Sequence, residues 1–169
     1  MLDRVADQGA QIAIANSGGL RASIDAGDVT MGEVLTVLPF QNTLATFQIS
    51  GQGVIDALEN GVSQVEEVKG RFPQVAGLKF TWDPSVAPNE GRVVEVMVAE
   101  GGGFVPIDRA AIYMVVTNNY VRTGGDGYKM FREGLNAYDY GPGLEDVLAE
   151  HLAAQGSYAP YLDGRIASK

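Results

Sequence analysis

The chain has 169 residues, a net charge of −9 and a composition of 46% apolar and 20% charged residues. This length is sufficient for one globular domain with a sizeable core. No apolar run approaches the ~20 residues of a membrane span, and the N-terminus shows no signal peptide. The acidic balance argues against polymeric nucleic acid as a partner, because that affinity comes from many lysines and arginines.

Two residue types that carry much enzyme chemistry are scarce in this sequence. Cysteine is absent, which excludes disulfides, thiolate catalysis and cysteine metal sites. His151 is the only histidine and lies in a predicted helix, whereas catalytic zinc and two-metal centres draw on several ligands. We therefore expect no cofactor in this chain, and we expect the chain alone to be inactive in metal-dependent hydrolysis.

Strands are predicted where apolar residues run together or alternate and where β-branched and aromatic residues are frequent. These segments are 10–15, 43–50, 78–83, 92–100 and 111–121. The glycines at 101–103 predict a hairpin that returns through Phe104–Ile107. The tail at 163–167 predicts a short edge strand.

Helices are predicted from apolar residues at helical spacing. They are 52–65, 129–133 and 143–155, with the end of a further helix at 1–7. Thr30 and Glu33 have the spacing of a capping box, which predicts a helix from Met31 to Leu38. Residues 66–77 are predicted to be irregular. Because helices and strands do not alternate strictly, the fold class is predicted to be α+β, with mixed sheets and flanking helices.

Three loops concentrate residues that suit a small ligand: 16-NSGGLR-21, 38-LPFQNT-43 and 118-NNYVRTGGDGY-128. An aromatic pair can clamp a flat base, an arginine can bind phosphate, and Asn or Asp can bind hydroxyl groups. Neither glycine-rich loop has the spacing of a standard phosphate-binding loop. The alternative to a ligand site is that these are ordinary loops whose aromatic side chains serve only packing.

At these motifs, and at 163-DGRI-166, the chain resembles the C-terminal domain of the 5′-nucleotidase family. This family includes UDP-sugar hydrolases and cyclic-nucleotide phosphodiesterases. The order and spacing of the motifs agree over essentially the whole chain, 1–169. The resemblance implies a substrate-recognition domain whose two aromatic residues stack on a nucleobase.

Carried over residue by residue, the resemblance makes Phe40 and Tyr120 the stacking pair. Asn16 and Arg21 are expected on the ribose and phosphate side, and Asp126 is expected to bind ribose hydroxyls. The remaining predicted substrate contacts are Asn42, toward the base, and three glycines that allow close approach of the ligand: Gly18, Gly19 and Gly125.

The resemblance also implies parts that this chain lacks. Family members carry an N-terminal metallophosphoesterase domain with two divalent metals such as zinc or manganese, and a helix with a Gly-Asn-Leu motif before this region. We therefore expect a fragment of a larger periplasmic or extracellular hydrolase, with its own N-terminal domain and a nucleotide or nucleoside as partners. Two alternatives stay open, namely the C-terminal domain of a thiosulfohydrolase-like relative and a non-catalytic interaction domain of the same fold.

Overall fold

The computed structural model describes residues 1–169, which form two mixed β-sheets with helices against them. The strands are β1 (Ile12–Asn16), β2 (Leu44–Ser50), β3 (Pro73–Ala76), β4 (Leu78–Trp82), β5 (Val93–Glu100), β6 (Gly103–Pro106), β7 (Ile112–Asn118), β8 (Leu135–Tyr138) and β9 (Ile166–Ser168). The α-helices are α1 (Met31–Val37), α2 (Gly51–Val62), α3 (Asn119–Arg122) and α4 (Leu144–Gln155). Short 3₁₀ turns occupy Asp3–Gln8, Ser17–Gly19, Gly125–Gly127 and Lys129–Glu133.

The first sheet has the strand order β3-β1-β7-β2-β8, and the second has the order β6-β5-β4-β9. Each sheet contains one parallel pair, β1 with β7 and β4 with β9, among antiparallel neighbours. This arrangement confirms the predicted α+β class with mixed sheets. It also confirms the β5–β6 hairpin and the edge strand near the C-terminus.

The main core lies between the two sheets and is filled by α2. Val54, Leu58 and Val62 are fully buried on this helix, at the spacing that predicted it. They share one apolar cluster with Phe47 of the first sheet and Phe80 of the second. A smaller cluster on the other face of the first sheet joins residues of β1, β2 and β7 to α4.

Several predicted elements differ from the observed ones. The strand predicted through residue 121 ends at Asn118, where α3 begins, because the Asn118 side chain accepts a hydrogen bond from the Val121 amide. Residues 73–76 form β3 rather than irregular chain, since a proline is tolerated at the first residue of an edge strand. The helices predicted near 1–7 and at 129–133 are present, but both are 3₁₀ helices, at Asp3–Gln8 and Lys129–Glu133. The exposed edge strand β8 was not predicted.

None of the four α-helices combines the length and hydropathy of a membrane-spanning segment.

Candidate functional site

The three motif loops meet at one edge of the first sheet. β1 and β7 run parallel, so their carboxyl ends, at Asn16 and Asn118, lie side by side. β2 runs antiparallel to β7, and its first residue, Leu44, pairs with Asn118. The Asn119 amide donates to the Thr43 carbonyl at 2.9 Å, which joins the loop that carries Phe40 to the turn that carries Tyr120. The fold thus gathers the predicted site from distant parts of the chain.

Asp126 is the centre of a polar cluster at this edge. Its Oδ2 accepts a hydrogen bond from Asn16 Nδ2 at 2.7 Å, and its Oδ1 accepts one from the Tyr120 hydroxyl at 3.0 Å. The backbone amide of Asp126 donates to the same hydroxyl at 3.3 Å. Three of the predicted site residues are therefore in direct contact. A carboxylate held in this way can accept further hydrogen bonds from hydroxyl groups.

Burial and the neighbouring Asp126 carboxylate raise the pKa of the Tyr120 hydroxyl above its ordinary value. Burial disfavours the phenolate, and the hydrogen bond to Asp126 requires the proton. Tyr120 therefore stays a hydrogen-bond donor to Asp126 throughout the neutral pH range.

Asn118 is a member of the cluster that sequence reasoning missed. It is 2% exposed, and its Nδ2 donates to Asn16 Oδ1 at 3.0 Å. Its own Oδ1 accepts from the Val121 amide at 2.8 Å and so caps α3. The sequence does contain a signal for this role, the two asparagines at 118–119 after an apolar strand. Asparagine is one of the residue types that favour helix N-caps.

A second set of hydrogen bonds connects the Asp126 loop to α2 and to Arg71. Asp126 has a φ of +51°, a conformation that is uncommon outside glycine. Asn60 on α2 donates to the Asp126 carbonyl at 3.1 Å, and Arg71 donates to Asn60 Oδ1 at 3.2 Å. The Tyr128 hydroxyl in turn donates to the Arg71 carbonyl at 2.6 Å. These contacts tie the loop to the main core.

Phe40 and Arg21 form a second, more exposed group beside the cluster. Phe40 is 57% exposed, and the guanidinium carbon of Arg21 lies 5.9 Å from the centroid of its ring. Arg21 Nη1 also donates to the Gly18 carbonyl at 3.4 Å. Tyr120 is 46% exposed. Both predicted stacking rings therefore present surface to solvent, and their sandwich around a base stays a prediction.

The glycines of the loops have packing reasons of their own. A Cβ on Gly18 would lie 2.9 Å from Gly70 Cα, and the Gly18 amide donates to the Gly70 carbonyl at 2.8 Å. A Cβ on Gly125 would lie 2.5 Å from the Tyr120 ring, and one on Gly19 would lie 3.3 Å from Asn16 Oδ1. The absence of side chains here brings the protein's own groups together. Their predicted contact with a ligand stays a prediction.

A cavity of about 670 Å³ adjoins the cluster. Four predicted residues are in its wall, namely Asn16, Gly19, Phe40 and Asn42, whereas the other five are outside it, namely Gly18, Arg21, Tyr120, Gly125 and Asp126. The far wall comes from residues that were not predicted, including Leu144 of α4 and Tyr158, Tyr161 and Leu162 of the C-terminal segment. The predicted residues thus divide between this cavity and the adjoining surface, with Asn16 shared by both.

No group of three or more His, Asp or Glu side chains in the chain is arranged to hold a metal ion. The residues present do not fit the two divalent metals that the resemblance implies for a metallophosphoesterase domain.

Comparison with known proteins gives one consistent family. The model of the "5'-nucleotidase, C-terminal domain" family matches residues 4–133. The chain is 44% identical over 160 residues to the Trifunctional nucleotide phosphoesterase protein YfkN of Bacillus subtilis, an alignment that covers 94% of the chain and 11% of the relative.

Solved structures agree with this result. The 5'-nucleotidase precursor from Thermus thermophilus superposes with a TM-score of 0.96 and 42% identity, covering 99% of the chain and 33% of that protein. The sulfate thiohydrolase SoxB from the same species superposes with a TM-score of 0.72 at 21% identity, covering 99% of the chain and 30% of that protein, which shows a shared fold only. The chain spans a third or less of each of these proteins.

Proposed function

Since the chain belongs to the 5′-nucleotidase C-terminal domain family, we propose that it is the nucleotide-recognition domain of a two-metal phosphoesterase. The substrates would be nucleotides of the 5′-nucleotidase, UDP-sugar or 2′,3′-cyclic type. The observation that carries the proposal is the hydrogen-bonded cluster of Asn16, Tyr120 and Asp126 at the sheet edge, next to the exposed Phe40 and Arg21.

Each group has a distinct role in this proposal. The rings of Phe40 and Tyr120 bind the two faces of the base, because every base has a π-face that stacks on an aromatic ring. Asp126 accepts hydrogen bonds from the ribose hydroxyls, and Asn16 donates to a sugar oxygen. Arg21 faces the phosphate side, where a guanidinium forms charge-assisted hydrogen bonds. Asn42, in the cavity wall, contacts the base.

The chemistry of the phosphate ester belongs to a separate domain in this proposal. An N-terminal metallophosphoesterase domain with two divalent metals, zinc or manganese, would supply the hydrolysis. The present chain binds and orients the substrate for that domain. We place the whole protein in the periplasm or outside the cell, on the family resemblance.

Titration of adenosine and UMP into the chain tests this proposal, with Phe40→Ala as the first variant. Stacking is worth ~1–3 kcal/mol per contact, so Phe40→Ala should weaken nucleoside binding about 5–150-fold. The melting temperature should change little, because Phe40 is 57% exposed.

Phe104→Ala is the matched control, since Phe104 is 44% exposed and lies on the second sheet. It should leave nucleoside affinity unchanged. Absence of saturable binding by the parent chain would favour a thiosulfohydrolase-like or interaction domain instead. Loss of ~3–5 kcal/mol of stability in Phe40→Ala would mark Phe40 as a core residue.

A further inference from the structure

Four polar side chains at the end of the first sheet form one continuous hydrogen-bonded relay. It runs from Asn118 to Asn16 at 3.0 Å, from Asn16 to Asp126 at 2.7 Å, and from the Tyr120 hydroxyl to Asp126 at 3.0 Å. Asn16 and Asn118 are only 5% and 2% exposed. Buried polar groups joined in this way have few alternative arrangements, so the relay fixes which atoms face a ligand.

Asn118 determines the orientation of Asn16. The Asn118 oxygen accepts from the Val121 amide, so its nitrogen must point to Asn16. Asn16 therefore turns its oxygen toward Asn118 and its nitrogen toward Asp126. A carboxamide nitrogen carries two N–H groups, and Asp126 uses one of them. Asn16 can offer the second N–H to a ligand as a donor.

Tyr120 determines the orientation of Asp126. Its hydroxyl donates to Asp126 Oδ1 and accepts from the Asp126 amide at 3.3 Å, so both functions of the hydroxyl are engaged. Asp126 also has a left-handed backbone, with φ at +51°, which needs such support. Each carboxylate oxygen then has one protein donor and a free lone pair. Asp126 offers a ligand two adjacent acceptors.

We propose that the Tyr120 hydroxyl and Asn118 are positioning residues, which hold Asp126 as an acceptor and Asn16 as a donor for a sugar with a vicinal diol. The preference for ribonucleosides that follows from the proposed Asp126 contact then depends on these two positioning residues. This inference rests on the proposed nucleoside site and deepens it. The ring of Tyr120 binds the base, whereas its hydroxyl acts on the sugar through Asp126.

Calorimetric titration of adenosine and 2′,3′-dideoxyadenosine into the 169-residue chain tests the inference. The parent should prefer adenosine by about 10–150-fold, the range of one hydrogen bond to a charged group. Tyr120→Phe keeps the ring and should reduce this ratio at least about fivefold. Asn118→Ser keeps a helix-capping oxygen and should also reduce the ratio of the two affinities.

Tyr113→Phe is the matched control, because the Tyr113 hydroxyl accepts from the Asp108 amide at 3.0 Å near the opposite end of β7. It should leave the ratio at the parent value. An unchanged ratio in Tyr120→Phe, or equal affinity of the parent for both nucleosides, would overturn the inference. Phe40→Ala, by contrast, should weaken the binding of both nucleosides equally, since it removes only stacking on the base.

A readout without ligand separates this inference from the proposed function. If the parent binds neither nucleoside, the proposed function fails, and hydrogen exchange of the Asp126 amide decides the positioning claim. Tyr120→Phe removes the acceptor of that amide, so its exchange should be faster than in the parent and in Tyr113→Phe. Equal exchange in all three proteins would show that the hydroxyl does not hold the loop.

Discussion

Arg21 is an exposed cation without a carboxylate partner at the edge of the candidate site. Its guanidinium lies against Phe40 and donates only to the Gly18 carbonyl, and none of the ion pairs in the chain includes it. Arg92, in contrast, is 3% exposed and pairs with Glu66 at 2.7 Å. Arg21 is thus free to pair with an anion that approaches this edge.

Arg21→Ala should therefore weaken AMP binding and leave adenosine binding nearly unchanged. Exposed ion pairs are worth ~0.2–1 kcal/mol, so the expected loss of AMP affinity is about 1.4- to 5-fold. Calorimetry at low salt measures it, with Arg109→Ala, an exposed arginine at the other end of the sheet, as the control. AMP affinity within error of the parent would leave Arg21 as an ordinary surface residue.

Tyr128 is a fully buried residue that supports the Asp126 loop. Its hydroxyl donates to the Arg71 carbonyl at 2.6 Å, and burial raises its pKa well above the ordinary value of 10.0. Tyr128→Phe should lower the free energy of unfolding at neutral pH by ~1–3 kcal/mol, because the Arg71 carbonyl loses its buried donor. Urea unfolding measures this loss.

The same residue makes stability depend on pH. Above pH 10 the unfolded chain loses the Tyr128 proton, whereas the folded chain keeps it. The contribution of Tyr128 to the free energy of unfolding is therefore fully present below pH 10 and decreases as the pH rises beyond it. The fall in the urea midpoint above pH 10 should be shallower in Tyr128→Phe than in the parent. Parallel curves would contradict the assignment to Tyr128.

At the scale of elements, the capping box of α1 supports the loop that carries Phe40. The Thr30 hydroxyl accepts from the Glu33 amide, and the Glu33 carboxylate accepts from the Thr30 amide. The helix ends at Val37, whose carbonyl accepts from the Arg21 amide at 2.9 Å. A short helix thus joins two of the three motif loops.

Thr30→Ala should lower stability by about 1 kcal/mol, because the Glu33 amide loses the Thr30 hydroxyl as its acceptor, while the bond from the Thr30 amide to the Glu33 carboxylate can remain. For a chain of this size that corresponds to a melting temperature lower by about 2–4 °C. Thr36→Ala is the control on the same helix, since its exposed hydroxyl bonds only to the Gly32 carbonyl. Equal melting temperatures for Thr30→Ala and the parent would show that α1 is held by packing alone.

Elements with a strong local signal were predictable from the sequence, and those fixed by distant partners were not. The apolar spacing of α2 and the Thr30 capping box are local, and both were found. β3 and β8 are four-residue edge strands whose pairing partners, β1 and β2, lie far along the chain. The end of β7 at Asn118 depends on a single capping side chain within an apolar run.

At the scale of the whole molecule, the candidate site depends on the topology of the first sheet. The three motif loops were singled out from their residue types, and the roles of their residues were carried over from the family resemblance. The strand order explains why the loops at 16–21, 38–43 and 118–128 meet. The supporting residues Asn60, Arg71 and Asn118 escaped sequence reasoning. Their partners are mostly remote: Asn60 and Asp126 are 66 positions apart, and Asn118 and Asn16 are 102 apart. No local pattern encodes such contacts.

A crystal structure of the chain with adenosine tests the central claim most directly, through the separation of the Phe40 and Tyr120 ring centroids. Two layers of van der Waals contact at ~3.5 Å each predict a separation of about 7 Å with the base between the rings. The ribose hydroxyls should then lie within hydrogen-bond distance of Asp126. A base bound away from both rings, for example against Tyr161 at the far wall of the cavity, would contradict the account.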